Sequence, residues 1–492
     1  MTDPSILSHD TQGDSATPVL QTGGRKWRTP LRLAALFLFA MAMCLPGTWA
    51  LPLVDRDETY YAEVSREMNE RGDYIVPHFN GKPWLEKTPL LFWCQAASFR
   101  IFGENAFAAR FPSVIATALT TLIVFGFCAS LYGSSVAWRA AICFVLCVQV
   151  AIFGRVGIID MLLTLFTTLA TWAGWELYQG SLRKIWWWAF YISLAGAALA
   201  KGPVAILPLG TILLFAWTVR SPDIFRSMKF GRGIALTLLL AGLWFIPVLL
   251  LTKGDFYQKF FGDQVFHKLT NAQQGHGATS ALTYLATLPF YFVLLFATFL
   301  PWSFYIPAAY RRMKAQWTPE DRYLASGILV TFCLFSLLKT KLPHYTLPAF
   351  PLIACAVAPS LPGKRFFQIS SGMIAVTLAA AFILAPLAVP YCVQLQLAAS
   401  PWLQKDMKIA VADYSEPGLV WYLRGRVTSW TKTIKPSGVV GFMSEPGPRF
   451  CVMPAEEAVQ IPSDPAWKQV TVKGADVVHG RWIKLSMFVK TE

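Results

Sequence analysis

Six stretches of this 492-residue chain run for twenty residues or more without a single Asp, Glu, Lys or Arg: Leu33 to Val54, Phe111 to Trp138, Gly233 to Thr252, Gly277 to Tyr310, Leu342 to Gly363 and Phe366 to Gln404. A helix rises ~1.5 Å per residue and the hydrocarbon core of a bilayer is ~30 Å thick, so each stretch is long enough to cross. Shorter apolar blocks fill the gaps at Ala140 to Gly154, Met161 to Trp175, Ile185 to Ala200, Gly202 to Val219 and Tyr323 to Leu338. With 55% apolar and only 14% charged residues, the pattern predicts an α-helical polytopic membrane protein of about eleven spans plus juxtamembrane helices.

The amino terminus sets the orientation. Residues 1–30 form a polar tail, and Arg25, Lys26, Arg28 and Arg32 stand before or at the start of the first apolar segment. That segment is longer than the h-region of a secretory signal, so it reads as a retained anchor; cleavage near Thr48-Trp49-Ala50 is the alternative. With the tail in the cytoplasm, alternating spans leave Arg139, Arg183-Lys184, the basic loop 220–232, Arg311-Arg312, Lys314, Arg322 and Lys364-Arg365 inside, following the positive-inside rule of a plasma (inner) membrane protein. The net charge of +15 is scattered over such loops and not collected in a soluble basic domain, which excludes nucleic acid as a partner. Eight of the nine cysteines lie in or beside apolar segments and none forms a C-x-x-C pair, so they read as small core residues. Trp186-Trp187-Trp188 reads as an interfacial aromatic belt.

Leu90 to Phe102 is too short to span and has charged flanks, so it is expected to lie on the outer surface. The outer face then gathers Asp57, Glu58, Glu86, Lys87, Arg155, Asp160, Lys201, the loop 253–276 and the segment Lys339 to Tyr345. From Lys405 onward the composition becomes mixed and polar, with β-type runs at Lys408 to Ala412, Phe450 to Met453, Gln469 to Val472 and Ile483 to Val489, and a helix at Pro417 to Leu423. No Gly-rich phosphate loop follows these runs, which argues against nucleotide binding. The expected organisation is a cytoplasmic tail (1–30), a membrane domain (31–392) with long outer loops at 55–110 and 253–276, and a small extracytoplasmic α/β domain (393–492).

Acids beside hydrocarbon are costly, about 2.5–3.5 kcal/mol each at a helix centre on insertion scales, so the outer cluster is a candidate functional site. The outer loop reads Asp57-Glu58-Thr59-Tyr60-Tyr61-Ala62-Glu63 and then Glu86-Lys87-Thr88-Pro89; Ile159-Asp160-Met161, Ala200-Lys201-Gly202-Pro203, Leu300-Pro301-Trp302 and Lys341-Leu342-Pro343-His344-Tyr345 follow in order. This ordered set resembles the GT-C membrane glycosyltransferases of the lipid A aminoarabinose transferase and protein O-mannosyltransferase type, over roughly residues 31–365. The resemblance implies a polyprenyl-phosphate-sugar donor, a lipid, polysaccharide or protein acceptor, and transfer at the extracytoplasmic face. It departs from the aminoarabinose pattern at Thr88, where a Pro is usual, and at Val265, where some relatives carry a metal-binding His. The tail also lacks those enzymes' extra spans, so their acceptor does not carry over.

A phosphate leaving group needs little acid assistance but does need charge compensation. The resemblance assigns the phosphate to Lys87, Lys268 and Tyr345, and Lys341 is suited to the same anion. It makes Asp57 the base that takes the acceptor's proton, and direct displacement inverts the anomeric centre. Glu86 orients the sugar or holds a divalent cation; with Val265 in the chain the metal is left open, and His267 or His276 would have to replace the missing ligand. Arg155, Asp160 and Lys201 are further substrate-binding candidates.

Structural readings stand beside each of these. Asp57 and Glu58 suit the N-terminal turn of a helix through its dipole, and Glu63 pairs with Arg66 on a solvated side. Asp160 is a buried partner for Arg155, Lys201 ends a span, and loop histidines are solvated by default. A transporter or flippase of lipid-linked sugars is the main functional rival, but the chain shows no inverted repeat and its polar residues cluster on one face. A non-catalytic envelope scaffold is the second rival, and the intact donor motifs argue against it.

Overall fold

The computed structural model describes residues 30–53, 56–221, 224–266, 284–285, 287–476 and 480–491. The membrane portion begins with α1 (Pro30–Cys44), followed by α2 (Arg56–Arg71), a small hairpin of β1 (His78–Phe79) and β2 (Lys82–Pro83), and α3 (Leu90–Phe102). It continues through α4 (Ala106–Tyr132), α5 (Ser134–Leu146), α6 (Asp160–Tyr178), α7 (Ile185–Lys201), α8 (Leu207–Val219), α9 (Phe230–Leu251), α10 (Pro319–Leu337) and α11 (Gly363–Ala379). The Asn105 side chain accepts from the Ala108 N–H to cap α4, and Gly133, with φ 86°, ends it. The charge-free run from Phe111 to Trp138 therefore straddles a turn.

Gly174 on α6 shows how the next two helices are arranged. A Cβ placed there would lie 2.8 Å from Ile212 and 3.3 Å from Phe190, so α7 and α8 meet the same point of α6. Continued as one straight helix, those two residues would be about 33 Å apart. The run Ile185–Val219 is therefore a hairpin that turns through the 3-10 segment Gly202–Ile206, leaving Lys201 at its tip. The residues expected at Leu342 to Gly363 do not form one straight helix: a 3-10 turn over Pro343–Ala349 precedes a short helix, Phe350–Val357. Pro343, Pro348 and Pro351 remove the backbone donors that a continuous span would use.

By length and composition, four helical runs can cross a membrane: Ala106–Tyr132, Ile185–Val219, Phe230–Leu251 and Gly363–Ile383. Phe290–Thr298 and Trp302–Ala315, bent by 112°, add a fifth when counted together. On α9, Leu238, Leu239, Leu243, Ile246 and Leu250 are all exposed, an apolar face that suits lipid and not water. The chain is a multi-pass membrane protein. α3 is short, as the sequence predicts, and packs on α2 and α4, where Gln95 accepts from Ser65 and donates to the carbonyl of Ala109.

The carboxyl-terminal part is a five-stranded sheet in the order β4-β3-β5-β7-β6, with β3 (Lys408–Ala412), β4 (Thr431–Ile434), β5 (Arg449–Pro454), β6 (Lys468–Asp476) and β7 (Arg481–Lys490). β4, β3 and β5 are parallel, and β7 and β6 are antiparallel additions. α12 (Pro417–Arg424) connects β3 to β4 across one face. Alternate residues Ile409, Val411, Phe450, Val452, Leu485 and Met487 form the core with Val393 and Leu397. The sequence reading finds four of these strands and misses β4, whose Thr-Lys-Thr-Ile carries a charge at its second position and lies on the sheet edge.

Candidate active site

The site is assembled at the amino end of α2. Its first turn carries Asp57 and Glu58, where the helix dipole favours negative charge. Glu58 is 1% exposed and takes two hydrogen bonds from Arg110 on α4, at 2.6 and 2.8 Å, plus one from the Gly157 N–H at 2.8 Å. Arg110 in turn donates to the carbonyls of Thr48, Leu51 and Pro52. This bidentate, fully hydrogen-bonded pair joins four segments and holds Asp57 in place beside it. The charges of Asp160 and Asp57 both bear on Tyr345 in the 3-10 turn Pro343–Ala349.

Asp160 lies at the start of α6 and is buried. Lys201 donates to it at 2.5 Å, His344 Nε2 stands 3.8 Å from its second oxygen, and the charge of Lys87 also bears on it. The Lys201 ammonium sits 4.6 Å from the centre of the Tyr345 ring, a cation–π contact. Lys87 donates to Gln264 Oε1 at 3.2 Å, and the Gln264 amide donates to Glu86 Oε2 at 3.0 Å, so one side chain bridges the neighbouring acid and base. Lys87, Lys201, Asp57, Glu86, Asp160, His344 and Tyr345 thus come from five separated stretches. The arrangement offers ammonium groups for an anion next to carboxylates able to accept a proton.

The chain is similar to several known membrane glycosyltransferases. A family model described as dolichyl-phosphate-mannose-protein mannosyltransferase matches residues 86–250. The undecaprenyl phosphate-alpha-4-amino-4-deoxy-L-arabinose arabinosyl transferase of Aeromonas hydrophila is 30% identical over 343 residues, covering 68% of this chain and 59% of that relative. The same-named protein of Edwardsiella ictaluri is 31% identical over 335 residues, 66% of this chain and 58% of that relative. The chain therefore spans less than two thirds of the length of these curated relatives. Among solved structures, ArnT from Cupriavidus metallidurans bound to undecaprenyl phosphate superposes with a TM-score of 0.76 at 16% identity, covering 93% of this chain and 97% of that one. The archaeal oligosaccharyltransferase AglB from Archaeoglobus fulgidus, in complex with an inhibitory peptide and a dolichol-phosphate, gives 0.54 at 11% identity, over 88% and 70%. The chain thus has the fold of these membrane glycosyltransferases and is similar to the mannosyltransferase family model over residues 86–250.

Several expected residues stand elsewhere. Arg155 does not pair with Asp160; it donates to the carbonyls of Met43 at 2.6 Å and Pro46 at 3.3 Å, closing the end of α1, and Lys201 is the cation of Asp160 instead. Lys201 is accordingly more than the end of a span. Lys341 turns toward the carboxyl end of α10, where it donates to the carbonyls of Ser336 and Phe335 between the rings of Tyr284 and Tyr291. Burial pushes its ammonium down to about 8. Glu63 does pair with Arg66, but the two are buried beneath α12 and not on a solvated side, because Trp421 and Arg424 cover them. Lys268, His267 and His276 lie outside the described residues.

Gln264 and His344 are the residues that the sequence reading passes over. His344 is quoted within its motif without a role, and Gln264 is a neutral loop residue whose use depends on the fold bringing it to Glu86 and Lys87. Among the described residues, no three His, Cys, Asp or Glu side chains converge as a divalent cation requires. Among the described residues, Glu86 Oε2 accepts from the Gln264 amide.

Proposed function

We propose that this chain is an integral membrane glycosyltransferase that moves a sugar from a polyprenyl-phosphate donor to a lipid, polysaccharide or protein acceptor on the extracytoplasmic face, with inversion. One observation carries the reading: Lys201 joins the buried Asp160 to the ring of Tyr345, and the charges of Lys87 and Asp57, from segments far apart in sequence, bear on the same two residues. A carrier alternating across the bilayer works from a midplane site between repeats, and this cluster is built differently. The names of the relatives and the undecaprenyl phosphate held by the ArnT structure support the donor class.

In the proposed reaction the acceptor oxygen attacks the anomeric carbon while its proton passes to Asp57. The bond from that carbon to the phosphate oxygen breaks, and the phosphate leaves with the electron pair. Lys87 and Lys201, with Lys268 from the long loop and the Tyr345 hydroxyl, stabilise the charge that develops there. Asp160 holds Lys201 at its station, and Lys341 acts at longer range. Glu86 orients the sugar with Gln264, without a metal.

The topology we assign has about eleven spans, the amino terminus in the cytoplasm, and residues 393–492 outside the plasma membrane. Residues 31–392 are the transferase portion.

The test uses purified protein in liposomes, a panel of radiolabelled undecaprenyl-phosphate sugars, and membrane extract as acceptor. Transfer by the wild type and its loss in Asp57→Asn is the expected result. No transfer from any donor would sink the enzyme reading; equal transfer by both proteins would remove Asp57 as the base; retained configuration in the product would remove direct displacement.

A further inference from the structure

We infer that the carboxyl-terminal sheet is a working part of the site: through Asn80, Trp430 and Arg424 it holds the outer loop at two places, one leading to Asp57 and the other to Glu86-Lys87. These three are positioning residues. The inference rests on the transferase reading for its consequence, but its geometry stands independently.

The first grip is on the hairpin. Asn80, at the tip between β1 and β2 with φ 51°, turns its amide onto the edge strand β4: Nδ2 donates to the Thr431 carbonyl at 2.7 Å and Oδ1 accepts from the Thr431 N–H at 2.9 Å. A side-chain amide thus pairs with an open strand edge as another strand would. Gly81 follows with φ 80°, and a Cβ there would lie 3.1 Å from the Trp430 ring. The Gly81 N–H donates to Glu67 at 3.1 Å, which fastens the same tip to α2.

The second grip is on α2. Arg424, at the end of α12, lies 4.0 Å over the Trp430 ring, pairs with Glu70 at 2.5 Å and approaches Glu63 at 3.6 Å. Arg71 stands at 5.5 Å from the same indole. One turn earlier on α12, the Trp421 carbonyl accepts from Arg66 at 3.0 Å, while Arg66 stacks on the Trp421 ring at 4.3 Å and Phe99 of α3 packs against it. Tyr422 donates to the carbonyl of Leu53, just before α2 begins. Acids Glu63, Glu67 and Glu70 interleave with Arg66, Arg71 and Arg424 along this seam. An apolar seam of equal area would hold the sheet as firmly, whereas paired buried charges admit few docking angles.

Both grips lead to the chemistry. α2 carries the second grip back to Asp57 at its first turn. From the hairpin, Trp84 donates to the Pro77 carbonyl and stacks on Tyr60 at 5.4 Å, and the chain runs directly into Leu85-Glu86-Lys87. No contact of the sheet with the reacting atoms is needed; it fixes the separation between the base and the phosphate-binding lysine.

Hydrogen exchange on the full-length protein in nanodiscs tests this, comparing wild type with Asn80→Ala and Trp430→Phe, the latter chosen because it keeps an aromatic ring while removing part of the surface that meets Gly81 and Arg424. Undecaprenyl phosphate affinity is measured on the same samples. The expected result is that amides in residues 57–64 and 84–90 exchange about tenfold faster in the variants while strands β5 and β7 keep their protection. Weaker undecaprenyl phosphate binding per folded molecule, by several-fold, should accompany it. Unchanged exchange in those two segments, whether or not the strands loosen, would overturn the inference. Failure of the wild type to bind undecaprenyl phosphate would instead count against the donor reading, and the exchange comparison would still judge the grip.

Discussion

Two buried carboxylates in the first turns of helices, Asp160 and Asp321, each meet a cation and differ in what else surrounds them. Asp321 begins α10 and is wholly buried. It accepts from Arg312 at 2.7 Å, from Tyr132 at 2.7 Å and from Thr318 at 3.2 Å, while its own N–H is capped by the Thr318 hydroxyl. Asp160 takes one short bond from Lys201, whose side chain is 20% exposed, and His344 waits at 3.8 Å. Around Asp321 a guanidinium and two hydroxyls fill the carboxylate's acceptor positions. Around Asp160, the charges of His344 and Lys87 come from other segments and add to that of Lys201. A carboxylate filled by three donors is architecture; an ammonium held by one short bond can shift it to an arriving anion. The Glu58–Arg110 pair shows both uses side by side, since it is closed like Asp321 yet stands next to Asp57.

The comparison breaks most sharply at Asp57. Asp57→Asn should lower transfer by about 10²–10⁴-fold, the range for a general base, with undecaprenyl phosphate affinity unchanged. Asp321→Asn should leave turnover per folded molecule intact and lower the melting temperature instead. If both variants lost turnover equally with normal stability, the distinction between the two carboxylates would be lost.

Glu58→Gln comes next. It leaves a buried guanidinium without its carboxylate, a change that costs about 3–5 kcal/mol, so the expected readout is poor folded yield in a size-exclusion profile. Lys87→Ala should weaken undecaprenyl phosphate binding by about 10–100-fold, as the loss of one charge-assisted contact predicts, and isothermal titration of the purified protein measures it. Gln264→Ala should reduce transfer by a smaller, several-fold factor, and chelation with EDTA should leave the wild type unaffected; loss of activity on chelation would restore a metal to Glu86.

The smallest effect concerns Lys341. Burial lowers its ammonium to about 8 from an ordinary 10.5. Below pH 8 both folded and unfolded forms are protonated and the burial cost is fully present; between about 8 and 10.5 the unfolded chain binds more protons, so stability rises with pH across that window. Thermal melts from pH 7 to 10 should show this rise in the wild type and a flatter profile in Lys341→Met.

Much of the architecture is legible in the chain because its cause is local. Charge-free runs mark helices that must satisfy their backbone groups internally in lipid, and alternation at Lys408 to Ala412 or Phe450 to Met453 marks strands buried on one or both faces. The turns inside those runs are less visible: Gly133 divides one run into two helices, and Pro343, Pro348 and Pro351 break another. Strand β4 escapes notice because its lysine-bearing segment sits at an edge, where pairing and not composition makes it a strand.

For the site, the order of residue types is enough to nominate Asp57, Lys87, Asp160, Lys201 and Tyr345, since a phosphate and a proton transfer require such groups and the motifs carry them. Their partners are another matter. That Lys201 and not Arg155 meets Asp160, that Gln264 stands between Glu86 and Lys87, and that Glu63 and Arg66 lie beneath Trp421 depend on helices distant in sequence arriving at one place. The sequence by itself determined a multi-pass membrane chain and the kinds of groups its loops present, because hydrophobicity and charge act residue by residue. Only the tertiary structure decided which of those charges pair with one another, because electrostatic pairing depends on distances of a few ångströms that no local pattern encodes.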